Sequence, residues 1–76
     1  MYDTYVKREK MKKESLGKKI KRLRTDRFLT QTNLAVKAGV SLLTIWRIEN
    51  EKVDPHGPTI KVIARALGVR WTELVG

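Results

Sequence analysis

The sequence predicts an all-α fold, a compact five-helix domain without a sheet, and three observations predict it. Apolar residues recur at helical spacing in successive segments: Leu16, Ile20 and Leu23; Leu34, Ala35 and Ala38; Ile45 and Ile48; Ile60, Ile63, Ala64 and Leu67. Residues that start or stop helices stand at the ends of those segments, with Thr30, Ser41 and Pro58 before them and Gly39 and Gly68 after them. Finally, 76 residues without a cysteine leave helix packing to stabilise the fold.

Residues 1–14 are set apart as a basic N-terminal extension. The run from Lys7 to Glu14 has no apolar period and no glycine or proline to stop a helix, so it either lengthens the first helix or forms a flexible arm. Residues 15–76 form the domain. Its first helix is expected from Ser15 to about Arg27, with lysines and arginines on the outer face. Thr30 is the N-cap expected for a second helix that has Gln31 in its first turn and runs to about Ala38.

Gly39 then ends the second helix in a left-handed residue, a conformation glycine enters without a Cβ penalty, and the chain turns sharply. Val40, Ile45 and Ile48 are spaced for the inner face of the next helix, and Ala35 keeps the crossing close. Ser41 caps a third helix expected from about Leu42 to Asn50, since its hydroxyl can accept from the N–H of Leu43 or Thr44. The segment Gln31 to Asn50 therefore reads as a helix-turn-helix. Glu51 to Pro58 is turn-forming, and Pro58 suits the first position of a fourth helix closed by Gly68. Trp71 and Leu74 are spaced to fold a last short helix back onto the core.

Charge supplies the functional clue. Seventeen Lys and Arg against eight Asp and Glu give a net charge of +9, so polyanions are the natural partners. The excess is concentrated: residues 15–30 carry Lys18, Lys19, Lys21, Arg22, Arg24 and Arg27 against Asp26 alone, a net of +5. Catalysis is not indicated. One histidine in a loop bracketed by proline and glycine, no cysteine and no glycine-rich phosphate loop leave no nucleophile, general base or metal cage, and no cofactor is expected. No aromatic stacking platform points to single-stranded nucleic acid. No apolar run is long enough for a membrane span and no signal peptide is visible, so a cytoplasmic protein is expected.

The pieces LGKKIKRLR, LTQTNLAVKAGVS, TIWRIEN, TIKVIARALGV and WTEL, in this order and with these loop lengths, resemble the phage repressor and Cro-like helix-turn-helix domains of the XRE family over residues 16–75. The resemblance implies a lambda-repressor-like domain that binds operator-like double-stranded DNA as a symmetric homodimer, with the third helix in the major groove. Two positions depart from the family pattern. Phe28 stands where glycine is common after the first helix, and a bulky residue is disfavoured in a left-handed conformation, so the exit from that helix is expected to differ. Arg70 stands where Ser or Asn usually caps the final helix, so that cap is expected to be weaker.

With Ile45 and Ile48 facing inward, Leu42, Leu43, Thr44, Trp46, Arg47 and Asn50 face outward on the third helix. By resemblance, Leu42, Leu43, Trp46 and Arg47 occupy the slots that contact base edges. Arg47 suits guanine, whose O6 and N7 match its planar fork; its alternative role is a phosphate clamp. Phosphate contacts are expected from Gln31, Thr32, Ser41, Thr44 and Asn50 near the helix ends, and from Lys18 and Lys21 on the first helix. Arg24 and Glu49 occupy the places of an internal ion pair in the family.

An outward Leu-Leu-Trp surface costs solubility unless something covers it. Duplex DNA is one cover, with leucines packing on thymine methyls and favouring an A·T-containing half-site. A second is a protein partner or another copy of the chain, which would make this an interaction module such as an antitoxin or a transcriptional bridging factor. In a third, Leu42 or Trp46 completes the core.

Overall fold

The computed structural model describes residues 14–75; the expected extension, apart from Glu14, lies outside the described residues. Among the described residues five helices follow one another, α1 (Leu16–Asp26), α2 (Gln31–Ala38), α3 (Leu42–Glu49), α4 (Gly57–Leu67) and α5 (Trp71–Val75), and there is no strand. Short-range hydrogen bonds account for most of their ends. The Ser15 hydroxyl accepts from the Lys18 N–H at 3.2 Å and starts α1. Thr30 and Asn33 form a capping box at α2: the Thr30 hydroxyl accepts from the Asn33 N–H at 2.9 Å, and the Asn33 Oδ1 accepts from the Thr30 N–H at 3.2 Å.

Gly39 closes α2 at φ 74°, and the Ser41 hydroxyl accepts from the Thr44 N–H at 3.0 Å to open α3 two residues later. Val40 belongs to the turn between them and not to α3, half-buried against the core. The third helix ends at Glu49 with Asn50 as its cap. Pro58 stands second in α4, after Gly57, and His56 at the N-cap makes no side-chain cap bond.

Two departures from the expected pattern resolve in different ways. The exit from α1 does not reroute around Phe28. That residue takes the left-handed conformation itself at φ 58°, and the N–H groups of Arg27 and Leu29 both donate to the Arg24 carbonyl at 3.1 Å. At α5, the missing cap at Arg70 is partly replaced from within the helix, because the Glu73 Oε2 accepts from the Arg70 N–H at 3.3 Å. That bond is the carboxylate half of a capping box.

α2 packs on α3 and α4, α1 packs on α3 and α5, and α4 packs on α5. Their shared core holds Ile20, Leu34, Ile45, Ile48, Ile63, Leu67 and Leu74, with Ala35, Ala38 and Ala64 buried among them. Burial of aliphatic side chains of this size contributes roughly 1.5–3 kcal/mol each before entropy is counted. Leu74 anchors α5, whereas Trp71 stays 46% exposed and does not fold onto the core.

The crossing of α1 over the end of α3 depends on Gly17. A Cβ at that position would overlap the Ile48 carbonyl oxygen and lie 3.2 Å from that of Glu49. The missing side chain thus lets α1 lie directly on the last turn of α3. Only a view of the packed helices reveals this, since Gly17 sits within a helical segment and no turn requires it.

Candidate nucleic-acid interface

At the end of α1, Arg24 turns inward and joins three elements. Its Nε donates to the Glu49 Oε2 at 2.7 Å and its Nη2 to the Glu49 Oε1 at 3.0 Å, a two-pronged pair whose carboxylate side chain is only 2% exposed. Its Nη1 donates to the Leu29 carbonyl at 2.8 Å. From the first turn of α2, the Gln31 Nε2 donates to the same Glu49 Oε1 at 3.1 Å. One buried carboxylate therefore receives three hydrogen bonds from two helices. Among the described residues no buried side-chain nitrogen or oxygen lacks a partner, the condition under which a buried charge is tolerated.

This network sets the orientation of α3. Ile45 and Ile48 face the core, leaving Leu42, Leu43 and Trp46 at 47%, 51% and 44% exposure with Arg47 exposed beside them. Neither Leu42 nor Trp46 completes the core, because α1 and α2 already fill the inner side of α3. The outward face is accordingly an apolar edge with one guanidinium.

The polar residues at the helix ends are engaged locally. The Ser41 and Thr44 hydroxyls lie 2.8 Å apart, and the Asn50 Nδ2 donates to the Trp46 carbonyl at 2.8 Å. Gln31 is half-buried, with one amide N–H on Glu49, whereas Thr32 is exposed on the first turn of α2.

On α1, Lys18 and Lys21 are exposed. Other cations of this helix are committed within the domain. The Lys19 Nζ donates to the Glu73 carbonyl at 3.2 Å, and the Arg27 Nη1 to the Leu23 carbonyl at 3.1 Å. Arg22 binds Glu14 through two hydrogen bonds of 2.9 and 3.1 Å. The hydrogen bonds from Arg22 hold the Glu14 carboxyl below the usual carboxylate range, and the same bonds push the Arg22 guanidinium up.

Three features were outside the reach of the sequence. Gly17 is needed for the crossing. Phe28 projects into solvent at 94% exposure. Trp71 lies under the Lys61 ammonium, 5.7 Å from its ring centroid, in an open groove that also carries Arg65 and Arg70. Among the described residues no group of His, Asp or Glu is placed to hold a metal ion, and no helix is long and apolar enough to cross a membrane.

Residues 20–74 match the family model HTH_3, described as helix-turn-helix. Over 62 residues the chain is 37% identical to the immunity repressor protein of Bacillus phage phi105, an overlap of 82% of this chain and 43% of that protein. It is 43% identical over 63 residues to the HTH-type transcriptional repressor RghR of Bacillus subtilis (strain 168), covering 82% of this chain and 47% of the relative. It is also 42% identical over 60 residues to the uncharacterized HTH-type transcriptional regulator RghRB of the same strain, covering 78% and 43%. The chain spans a little under half the length of these curated relatives.

Proposed function

The chain belongs to the helix-turn-helix family HTH_3, and on that premise we propose that it is a sequence-specific double-stranded DNA-binding regulator of transcription that acts as a repressor, reading the major groove with α3 as a homodimer. The observation that carries this reading is the anchoring of α3. Its inner face is closed by α1 and α2, its last turn is hydrogen-bonded to the first turn of α2, and its outer face is left exposed with Leu42, Leu43, Trp46 and Arg47. A helix held in this way presents a rigid surface of the width a major groove accepts. The relatives named as repressors support the regulatory role.

In this reading Arg47 donates both prongs to a guanine, and Leu42, Leu43 and Trp46 pack on thymine methyls and the sugars beside them. Gln31, Thr32, Ser41, Thr44 and Asn50 line the backbone edges, with Lys18 and Lys21 adding charge for the phosphates. Ser41, Thr44 and Asn50 keep their cap bonds and approach phosphate through their remaining polar capacity. Two copies on a palindromic site place their α3 helices about 34 Å apart. The exposed Trp71 and Val75 of α5 offer apolar surface for the pairing of copies, in solution or only on DNA.

Selection from random duplex DNA tests the reading. Enrichment of a palindromic motif, with binding that weakens steeply as salt rises, supports it. Failure to enrich any duplex, together with recovery of a stoichiometric protein partner lost in Trp46→Ala, overturns it in favour of an interaction module.

A further inference from the structure

Two non-glycine residues among those described have positive φ, and they differ in what the fold gains from them. Glu51, at φ 59°, follows α3, and its carboxylate accepts a hydrogen bond from the Ser15 hydroxyl at 2.9 Å. Phe28, at φ 58°, is 94% exposed, so its ring gains almost nothing from the folded chain. An aromatic residue in the left-handed region is unfavourable, and glycine would occupy it without penalty.

The conformation is imposed from both sides. The Phe28 N–H donates to the Thr25 carbonyl at 2.9 Å and the Leu29 N–H to the Arg24 carbonyl at 3.1 Å, while the Arg24 side chain holds the Leu29 carbonyl at 2.8 Å. The same arginine that fixes Glu49 at the end of α3 therefore locks the turn that pushes Phe28 outward. Strained residues of this kind persist where the surroundings over-determine them, and they concentrate at functional sites.

We infer that Phe28 is a contact residue for duplex DNA, packing its ring on the deoxyribose surface of the backbone beside the first turn of α2. This rests on the DNA-binding reading above. Its neighbourhood selects the partner: the turn joins the most basic of the described helices to the α2 end that carries Gln31 and Thr32, and Arg27 is exposed next to it. The local charge, a net of +5 over residues 15–30, favours a polyanion at this point. The ring meets sugars and not base edges, so it adds affinity without sequence preference. Because the turn is already rigid, little ordering is required on binding.

Phe28→Gly and Phe28→Asn separate the contact from the turn, since both residues accept the left-handed conformation. Thermal unfolding and affinity are measured for wild type and both variants, on the duplex enriched from a random pool and on a random-sequence duplex. Phe28→Gly is expected to unfold at a temperature no lower than wild type. Both variants are expected to bind both duplexes about fivefold more weakly, the scale of some 40 Å² of apolar surface left in water. The slope of log affinity against log salt should stay unchanged, because no phosphate charge is lost. If wild type binds with steep salt dependence and the variants bind equally well, the Phe28 contact is overturned while the DNA reading stands. If wild type binds neither duplex, both fall.

Discussion

The Gln31 side chain at the start of α2 donates a 3.1 Å hydrogen bond to Glu49 at the end of α3, so the two helices are tied at their far ends as well as through the Gly39 turn. The pair closes the helix-turn-helix into a loop of contacts. Arg24 completes it from α1, which means that stability and the aim of α3 depend on one buried carboxylate.

Breaking that network by halves should be costly. Arg24→Ala strands the Glu49 charge, and Glu49→Ala strands the Arg24 charge, each with an expected loss of about 3–5 kcal/mol in urea unfolding. Gln31→Ala leaves the ion pair in place and should cost about 1–2 kcal/mol. A double replacement, Arg24→Met with Glu49→Leu, should recover much of the single-variant loss. Equal stability of wild type and Arg24→Ala would remove the network from its role.

Gly17→Ala sets two effects against each other. Alanine gains about 1 kcal/mol of helix propensity, but its methyl overlaps the Ile48 carbonyl, which is backbone and cannot rotate away. Forcing α1 off α3 costs typically 1–3 kcal/mol. The urea midpoint should therefore fall, and a variant as stable as wild type would show that the crossing has slack.

Binding to a selected duplex should divide the cations into two groups. Arg47→Ala is expected to relax preference at one base pair at a cost of about 1–3 kcal/mol there. Lys18→Ala and Lys21→Ala should weaken binding to all sequences alike and reduce the salt slope by about 0.9 each. A Lys21→Ala variant that changed the selected motif would reverse these assignments.

Leu42 and Leu43 can be tested by altering the DNA as well as the protein. Replacing thymine by uracil removes only the C5 methyl from the major groove and preserves the pairing. Affinity should drop at one or two positions of each half-site in wild type, and the difference should disappear in a Leu42→Ala, Leu43→Ala variant. No response to uracil anywhere in the half-site would remove the methyl contacts.

The exposed Arg22 and Glu14 pair predicts a small acid sensitivity. Its folded carboxyl value is depressed, so its contribution is present above the ordinary value of 4.5 and fades as pH falls through the lower folded value. Wild type should exceed Glu14→Gln slightly in melting temperature near neutrality. The two should converge in acid, and raised salt should narrow the gap because the pair faces solvent.

Local signals determined much of this protein. The spacing of Leu34, Ala35 and Ala38, the caps at Thr30 and Ser41 and the glycines at 39 and 68 specify element order and inner faces, because helix period and capping act within four residues. The outward set of α3 follows from the same period, which is why its apolar character was legible. Tertiary structure alone decided what depends on partners distant in sequence. It bonded Gln31 to a carboxylate 18 positions away, required Gly17 to be bare beneath a carbonyl of another helix, left Trp71 outside a core that Leu74 already closes, and turned Phe28 out to solvent. A residue's own chemistry and its near neighbours set which helix it joins. Whether it is buried, bonded or presented is set by the helices packed against it.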